Sequence, residues 1–455
     1  MIHINTKATI RALTLVAFSG ILPTATIYGQ GLTLHQCLDY AYKNNSNIIN
    51  AHYDLAIAGK KVNEQIGTFL PQLEATGSVT DNLELSTTVL PGEMSGQPGT
   101  SMALKMGTQY NVTGGIQLSQ KIFDPSSRID LNSAKLNQEQ SEVKLQQTTE
   151  NMQYNICYLY YQTLVIEKQR NSLLAAYDAS KAVLESTELL LTNGMAQQID
   201  LDKIRVSTNV TYTQLKQCLL NYDQSLNNLK FTMGMPIDTG IFLTDTIVNV
   251  QVNAITLPAD TLLFQNRFDY KLQQIGLRSS RAEIKRNEAG YLPVLSFTAY
   301  YGSNAMRNEF TLFNREAWYP NSYIGLTLRL SVFDGFQRQS RISQAKLNVW
   351  KSKENIRQTR QSIKVELSNS EIGYRNALAN IQNEKENLGL ADKVYKSTQL
   401  QYKQGTCSTL DLIQSETSYR ESLNNYYNEL LNFLIARIKL EQSKGTLSEY
   451  IHNLN

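Results

Sequence analysis

The architecture follows from one recurring segment, Phe69-Leu70-Pro71-Gln72-Leu73, which returns 222 positions later as Tyr291-Leu292-Pro293-Val294-Leu295. In both copies a helical pattern ends at the Leu-Pro pair, and residues that alternate between apolar and polar follow it. A second segment, Ile122-Phe123-Asp124, recurs 210 positions later as Val332-Phe333-Asp334. Because the matches keep their order, the sequence predicts two internal structural repeats, at residues 31–235 and 260–455, with a linker at 236–259.

Each repeat has the same predicted plan, which is an opening helix, two strands, a long helix and a shorter returning helix. In the first repeat the strands are expected at 72–82 and 111–122, the long helix at 127–192 and the returning helix at 198–233. In the second they are expected at 293–302, 322–333, 337–404 and 409–442, followed by a C-terminal tail. The long helices contain no proline, and at 1.5 Å per residue each spans roughly 100 Å.

The composition excludes several classes of protein. Only 9 prolines and 24 glycines occur in 455 residues, which favours long uninterrupted elements. Beyond the first thirty residues there is no run of about 18 apolar residues, so a helical membrane protein is excluded. The charge is nearly balanced, with 43 basic and 40 acidic residues, and this gives no reason to expect nucleic acid as a partner.

Residues 1–30 are typical of a secretory signal peptide. Lys7 and Arg11 precede an apolar stretch from 12 to 22, and small and polar residues follow up to Gln30. Cleavage is expected near Gly29 or Gln30. The alternative, a single anchoring helix, requires a longer apolar core than this segment has.

The sequence offers no catalytic or metal-binding constellation. His35 and His52 are 17 residues apart on one predicted helix, which separates them by roughly 26 Å along its axis. There is no phosphate-binding glycine loop, and the four cysteines have no ligand spacing and are expected to be free. We therefore expect no enzyme activity, no metal and no cofactor.

The predicted strands have one apolar and one polar face. In 322–333, residues such as Ile324 and Leu326 point one way and residues such as Gly325 and Thr327 point the other. Segments of about ten to twelve residues are long enough to cross a bilayer when tilted. Aromatic residues at the segment ends resemble the interfacial girdles of membrane barrels. Those on the helix side are Phe69, Phe123, Tyr291 and Phe333, and those on the loop side are Tyr110, Trp318, Tyr319 and Tyr323.

A sheet of four strands in lipid has two open edges, and each unpaired backbone group there costs several kcal/mol. The sheet must therefore close with copies of itself, and three copies leave a bore wide enough for water. The predicted fold class is mainly α with membrane β. Long α-helical hairpins form an α-barrel, and four strands per chain contribute to a trimeric 12-stranded β-barrel. The alternative is an ordinary four-stranded sheet that covers a soluble core.

Several segments in order resemble the TolC-type outer-membrane efflux proteins, the outer-membrane factors of tripartite exporters. These segments are LTLHQCLDYA at 32–41 with Asn44-Asn45, the Leu-Pro and Phe-Asp pairs of each repeat, Gly234-Met235-Pro236, and Gly445-Thr446-Leu447. The resemblance covers essentially the whole chain after the signal peptide.

The resemblance implies a homotrimeric channel-tunnel that lies in the lipid of the bacterial outer membrane and extends into the periplasm. It would be a passive exit duct, with a helical tip that docks a periplasmic adaptor (membrane fusion protein) and an inner-membrane pump. The alternative function is a secreted coiled-coil structural or adhesive protein without a pore. Membrane extraction distinguishes the two, because a barrel requires detergent.

The turns between long and returning helices are expected to form the tips. Their residues are Asn193-Gly194-Met195 and Gln404-Gly405-Thr406, in which the glycines fit left-handed helix caps. By resemblance, these tips also meet the adaptor.

Asp411, with its counterpart Asp200, is the candidate for a periplasmic gate, since rings of carboxylates at a constriction favour cations. A family member has an arginine and a second aspartate where this chain has Cys407 and Gln414, so Asp411 alone remains of that acidic constriction. The alternative is that Asp200 and Asp411 only complement the positive N-terminal ends of their helices.

Overall fold

The structure is a computed structural model that describes residues 30–91, 99, 101–245, 264–311 and 317–453. The predicted signal peptide lies outside these residues except for Gln30, and so does the predicted linker after Asp245. The chain is predominantly helical, as the sequence predicts. The helices are α1 (Leu34–Asn44), α2 (Ser46–Gly67), α3 (Pro125–Thr192), α4 (Gln198–Met233), α5 (Phe268–Ala289), α6 (Gln337–Lys403), α7 (Thr409–Lys444) and α8 (Leu447–His452).

The strands form one larger sheet and two small ribbons. They are β1 (Gln30–Leu32), β2 (Gln72–Asp81), β3 (Thr87–Pro91), β4 (Ser101–Lys105), β5 (Tyr110–Phe123), β6 (Ile241–Leu243), β7 (Val294–Arg307) and β8 (Tyr319–Arg329). The larger sheet is antiparallel throughout and has the order β2-β5-β7-β8. β1 pairs in parallel with β6, and β3 pairs with β4.

The two long helices, of 68 and 67 residues, organise the remainder of the chain. α3 begins with Pro125, and the Asp124 side chain caps it by accepting a hydrogen bond from the Ser126 amide at 3.0 Å. α3 packs against α4 and α6 packs against α7, while α3 also contacts α5 and α7. None of the helices in the described part of the chain is both long and apolar enough to span a membrane.

The opening helical stretch is broken at Asn45, where the sequence predicts one helix to about Thr68. Asn45 has extended dihedral angles (φ −67°, ψ 123°), so α1 ends there and α2 begins. Its side-chain oxygen accepts from the Asn47 and Ile48 amides at 2.9 and 3.2 Å, and its Nδ2 donates to the Thr232 carbonyl at 2.7 Å. The break therefore lets one side chain cap α2 and bind the end of α4.

The last strand ends earlier than the sequence predicts. β8 spans Tyr319–Arg329 rather than 322–333, and its final pair is Arg329 with Val294. The next pair would contain Pro293, which precedes β7 and has no amide proton to donate to the ladder. Beyond the ladder, Arg338 Nη2 donates to the Ser331 carbonyl at 2.7 Å. β7 extends to Arg307, five residues beyond the predicted end at 302.

Two strand pairs were not predicted. The β3–β4 hairpin lies in a stretch where the Gly-, Ser- and Thr-rich composition predicts a loop. The β1–β6 pair joins two three-residue strands that are distant in sequence. These strands are too short to show an alternating pattern, so the sequence gives no signal for them.

The main core lies where the small β1–β6 ribbon meets α1, α3 and α4. Its fully buried side chains include Cys37, Cys157, Tyr160, Leu229 and Met233. All four cysteines are free thiols. Burial raises the pKa of Cys37 and of Cys157 to about 12, so both thiols are protonated at neutral pH.

Candidate functional site: a two-faced sheet and two helical tips

The four-stranded sheet has one mainly polar and one mainly apolar face. Cross-strand neighbours on the polar face include Glu74, Gln117, Tyr300 and Tyr323 in one row. Those on the apolar face include Leu73, Leu118, Ala299 and Ile324 in the next row. On the edge strands the apolar residues are uncovered, since Leu73 is 70% and Ile324 is 79% exposed. A face of this kind requires an apolar environment outside the single chain.

The two edges of this sheet are β2 and β8. Every residue of both strands is exposed, whereas the two central strands are mostly half-buried. Each edge presents a row of backbone N–H and C=O groups without a strand partner in the described chain. The sheet is therefore incomplete along both sides.

On the polar face, two tyrosines pack together over glycines. The rings of Tyr300 and Tyr323 stack with centroids 5.3 Å apart and an interplanar angle of 21°. The Tyr300 hydroxyl occupies the space above Gly115 and Gly302, where an added Cβ would come within 2.4 and 2.3 Å of it. Tyr323 thus lies inside β8, on the polar face, rather than at the loop side where the sequence placed it.

The other predicted girdle residues lie at the two ends of the sheet. Phe69, Phe123, Tyr291 and Phe333 lie at the helix side, and Phe333 packs edge-on against Phe336 at 5.5 Å. At the loop side, the ring of Tyr110 packs against Phe310 at 5.4 Å, and Arg307 lies 5.9 Å from the ring centre of Trp318. Tyr319 begins β8. The contacts of Phe310 and Phe336 were not predicted, because both residues lie outside the predicted strands and helices.

The two predicted tips have the same backbone geometry. Gly194 and Gly405 both have φ of 71°, in the left-handed region that favours glycine. The Met195 amide donates to the Leu190 carbonyl at 2.8 Å, and the Thr406 amide donates to the Gln401 carbonyl at 2.9 Å. These bonds close Schellman motifs on α3 and α6. Asn193 and Gln404 are the respective C-caps, and Met195 is exposed.

Asp411 belongs to a capping box at the start of α7. Its carboxylate accepts from the Ser408 hydroxyl at 2.6 Å and from the Ser408 amide at 3.2 Å, while Ser408 Oγ accepts from the Asp411 amide. The hydrogen bonds from Ser408 lower the pKa of the Asp411 carboxyl, which keeps it ionised at neutral pH. Asp411 thus lies in the first turn of α7, as the alternative of complementing the positive helix end requires, and its carboxylate is exposed and charged.

The remaining gate candidates lie near the same two tips. Cys407 Sγ donates to the Thr398 carbonyl at 3.4 Å, which ties the turn back onto α6. Gln414 is exposed, one turn after Asp411. Asp200 lies in the first turn of α4, in the other hairpin, where Gln197 is an N-cap without a side-chain hydrogen bond.

Sequence reasoning missed a buried polar layer that joins the two hairpins. Glu416 on α7 accepts a hydrogen bond from Ser180 on α3 at 2.7 Å. Arg420 on α7 donates through Nη1 to Thr211 and, at 3.4 Å, to Gln214, both on α4. No sequence signal identifies these residues, because polar side chains in a long helix show their partners only after the hairpins pack.

A second cluster of charges lies where α5 begins. Arg267 Nη2 contacts carboxylate oxygens of Asp269 and Glu366, each at 2.7 Å, and Lys439 Nζ contacts Glu366 at 2.7 Å. Burial, together with the neighbouring carboxylates Asp269 and Glu366, raises the pKa of nearby Glu150 to about 7, although Arg267 and Lys439 act in the opposite direction. Within the residues that the structure describes, no group of His, Cys, Asp and Glu side chains is arranged to hold a metal ion.

The sequence and the fold are similar to those of known proteins. The profile of a family described as "Outer membrane efflux protein" matches residues 37–235 and 261–446. "Proteases secretion protein PrtF" from Dickeya chrysanthemi is 22% identical over 344 residues, which are 74% of this chain and 74% of that protein. "Outer membrane protein TolC" from Escherichia coli (strain K12) is 22% identical over 438 residues, which are 92% of this chain and 83% of TolC.

Two solved structures show the same fold. The outer membrane protein VceC from Vibrio cholerae matches with a TM-score of 0.70 at 14% identity, over 90% of this chain and 96% of VceC. The CmeC outer membrane channel from Campylobacter jejuni matches with a TM-score of 0.73 at 17% identity, over 92% of this chain and 88% of CmeC.

Proposed function

Because this chain belongs to the outer membrane efflux protein family, we propose that three copies of it form a channel that provides the passive exit duct of a tripartite efflux or secretion system. The family places it in the bacterial outer membrane, as the resemblance implied. The two matched ranges, 37–235 and 261–446, lie on either side of the predicted linker and support two structural repeats. The alternative of a secreted coiled-coil protein without a pore has no support from the family.

The observation that carries the proposal is the incomplete sheet. β2 and β8 are open edges, and the apolar residues of these two strands are exposed. In lipid, pairing of β8 with β2 of a neighbouring copy satisfies both edges, and three copies make twelve strands around a water-filled bore. The apolar face then meets lipid and the polar face lines the bore. The aromatic residues at both ends fit the girdles of such a barrel.

The helices carry complementary evidence for the same closure. α4 and α6 each bear a stripe of exposed apolar residues, within about 60° of one line along the helix at 100° per residue. On α6 the stripe consists of Leu347, Val365, Ile372, Leu390 and Val394. On α4 it consists of Ile199, Val206, Val210 and Phe231. Contact between these stripes in adjacent copies would close the helices into a periplasmic α-barrel that continues the bore.

A matched pair of substitutions tests the barrel. Ile324→Arg puts a charge on the lipid face, where it costs about 2–4 kcal/mol, so we expect loss of the detergent-extracted, cross-linkable trimer. Thr327→Arg puts the same charge on the polar face of the same strand. We expect that variant to assemble and to change single-channel conductance in planar bilayers. If both variants assemble equally, or the wild type is a water-soluble monomer, the channel proposal fails.

We propose that the tips dock a periplasmic adaptor beneath an inner-membrane pump, and that Asp411 contributes to a gate there. In a trimer the exposed, charged Asp411 carboxylate would recur three times around the axis. Asp411→Ala should raise conductance and reduce block by divalent cations. Ser408→Ala removes the cap and keeps the carboxylate, so it should retain the block. Equal effects of the two substitutions would mean that Asp411 only caps α7.

A further inference from the structure

The two repeats differ strongly in charge where their helices leave the sheet. In the first repeat, α2 and residues 125–154 of α3 contain 5 basic and 6 acidic residues, a net charge of −1. The corresponding helices of the second repeat, α5 and residues 337–366 of α6, contain 13 basic and 5 acidic residues, a net charge of +8. The corresponding helices are nearly equal in length, with 22 residues each for α2 and α5 and 68 and 67 for α3 and α6, so the difference in charge does not follow from their size.

The basic residues of α6 are concentrated on one flank. Ala345, Val349 and Ile363 are buried, while Leu347 and Val365 lie on the opposite, exposed side. Two flanks lie between the buried and the exposed directions, one on each side of the helix. We call the flank that lies about 60–140° from Leu347 on one of these sides the basic flank. It consists of Lys346, Trp350, Lys353, Arg357, Arg360 and Lys364. The other flank carries mainly amides and hydroxyls together with Arg341 and Lys351. Its neutral members are Gln344, Asn348, Asn355 and Ser362.

These two flanks should face opposite sides of the proposed barrel wall. The buried side and the apolar stripe of α6 point along the wall, toward its own chain and toward the next copy. The amide flank continues the largely uncharged polar face of the strands above it, so it suits the bore. The basic flank then faces the periplasm. This step rests on the trimeric channel proposed above.

Several cations of this surface are exposed to solvent. All five on the basic flank are exposed, and Arg281 adds an exposed charge on the adjacent α5. Arg357 pairs with Glu354 of its own helix, and Arg360 donates to the Tyr270 hydroxyl at 2.5 Å. Lys346 and Lys353 have no ion pair within the described ranges. Trp350, between them, is 73% exposed.

The position of the flank excludes membrane lipid as its ligand. α6 begins where the sheet ends, so Lys346 and Lys364 lie about 14 and 40 Å below the strands at 1.5 Å per residue. The headgroup layer of a bilayer is only about 5–8 Å thick. The surface is therefore exposed to the periplasm. Its exposed indole suits stacking on a sugar ring, and its cations suit carboxylates.

We propose that the basic flank of α6, with the exposed Arg281 of α5, binds peptidoglycan, an acidic glycan that carries peptide carboxylates. This contact would hold the channel in the cell wall at a fixed depth. The flank recurs three times around the trimer, so weak individual contacts would add through multivalency. The first repeat, with its net charge of −1, would leave gaps between the three binding surfaces.

The test is co-sedimentation of the purified, detergent-solubilised trimer with isolated peptidoglycan sacculi. Lys346→Glu with Lys353→Glu should weaken binding by about tenfold, because attraction to the glycan is replaced by repulsion. Arg341→Glu with Lys351→Glu changes the charge of the same helix equally on the amide flank, and it should weaken binding less than about twofold. Trp350→Phe should weaken binding without altering its dependence on salt, which reports the charges.

Each opposing outcome is distinct. Equal loss from both double substitutions, or wild-type binding that neither affects, would overturn the assignment of the flank. Binding to phosphatidylglycerol vesicles in place of sacculi would identify a lipid surface and overturn it too. A change in ion selectivity of the channel by Lys346→Glu with Lys353→Glu would put the flank in the bore. A trimer that conducts ions but does not bind sacculi would refute this inference alone. If neither a trimer nor ion conductance is found, the channel proposal itself is refuted.

Discussion

Arg420 and Glu416 connect the two helical hairpins, so their substitution should loosen the contact between the hairpins. Each residue is only 7% exposed, and Arg420 Nε lies 4.0 Å from Glu416 Oε1. Arg420→Ala removes the hydrogen bonds to α4 and leaves a buried carboxylate that retains only its bond from Ser180. Removal of one partner of a buried ion pair costs about 3–5 kcal/mol.

The matched control is Arg375→Ala, which breaks another Arg–Glu pair one helical turn apart, with Glu371. The Arg375 side chain is 70% exposed, so its loss should cost less than about 1 kcal/mol. Glu416→Gln combined with Arg420→Met should recover much of the stability lost in Arg420→Ala, because no charge then remains buried.

Amide hydrogen exchange of the detergent-solubilised protein measures the effect locally. A loss of about 3 kcal/mol accelerates exchange roughly 150-fold at amides of α7 near Glu416 and of α4 near Thr211. Arg375→Ala should accelerate exchange less than about fivefold near its own site. If Arg420→Ala has no larger effect than this control, the buried pair does not hold the hairpins together and the reasoning is wrong.

Two further predictions concern pH and backbone conformation. The folded chain holds the proton of Glu150 more tightly than the unfolded chain, because the pKa of this carboxyl is raised from 4.5 to about 7. Ionisation therefore destabilises the folded state as the pH rises through that window. In thermal unfolding, Glu150→Gln should be more stable than wild type at pH 8 and equal to it at pH 5, and exposed Glu142→Gln should not reproduce this gain. Gly234→Ala should cost about 3 kcal/mol or more, since φ is 75° and the new Cβ would lie 2.2 Å from the Asn44 carbonyl oxygen. Gly194→Ala, at φ 71° in open space, should cost only about 1 kcal/mol, and equal urea midpoints for the two variants would contradict this explanation.

The family and the helical character of the chain could be predicted because each is indicated by a sequence pattern that extends over many residues. The absence of proline over more than sixty residues permits only a few structures, and the resemblance to outer-membrane efflux proteins that the ordered segments indicate is confirmed by the family match. Alternation in 323–328 similarly assigns the two faces of β8, because the side-chain period of a strand is two.

Features that depend on single residues or on distant partners could not be predicted. Asn45 fits a helix interior until its side chain is seen to bind the Thr232 carbonyl, 187 positions away. β8 ends at Arg329, opposite Val294, and the next residue on that side is Pro293, which precedes β7; the pattern of β8 itself continues. The Tyr300–Tyr323 stack requires glycines at 115 and 302, which belong to different repeats. In the candidate site, the caps of both tips follow from local sequence, whereas the Glu416–Arg420 layer does not.

The two open edges of the sheet also determine how a damaged copy would behave among normal ones. Each chain would contribute one third of the barrel wall and would pair with both neighbouring copies through its two sheet edges, which we call seams. A single copy with a defective seam would therefore inactivate the whole trimer that it joins. In a cell that makes equal amounts of normal and defective chains, only about one-eighth of randomly mixed trimers would be wholly normal. Alleles that spare the helices but ruin a seam should therefore be dominant, and those that prevent folding altogether should be recessive.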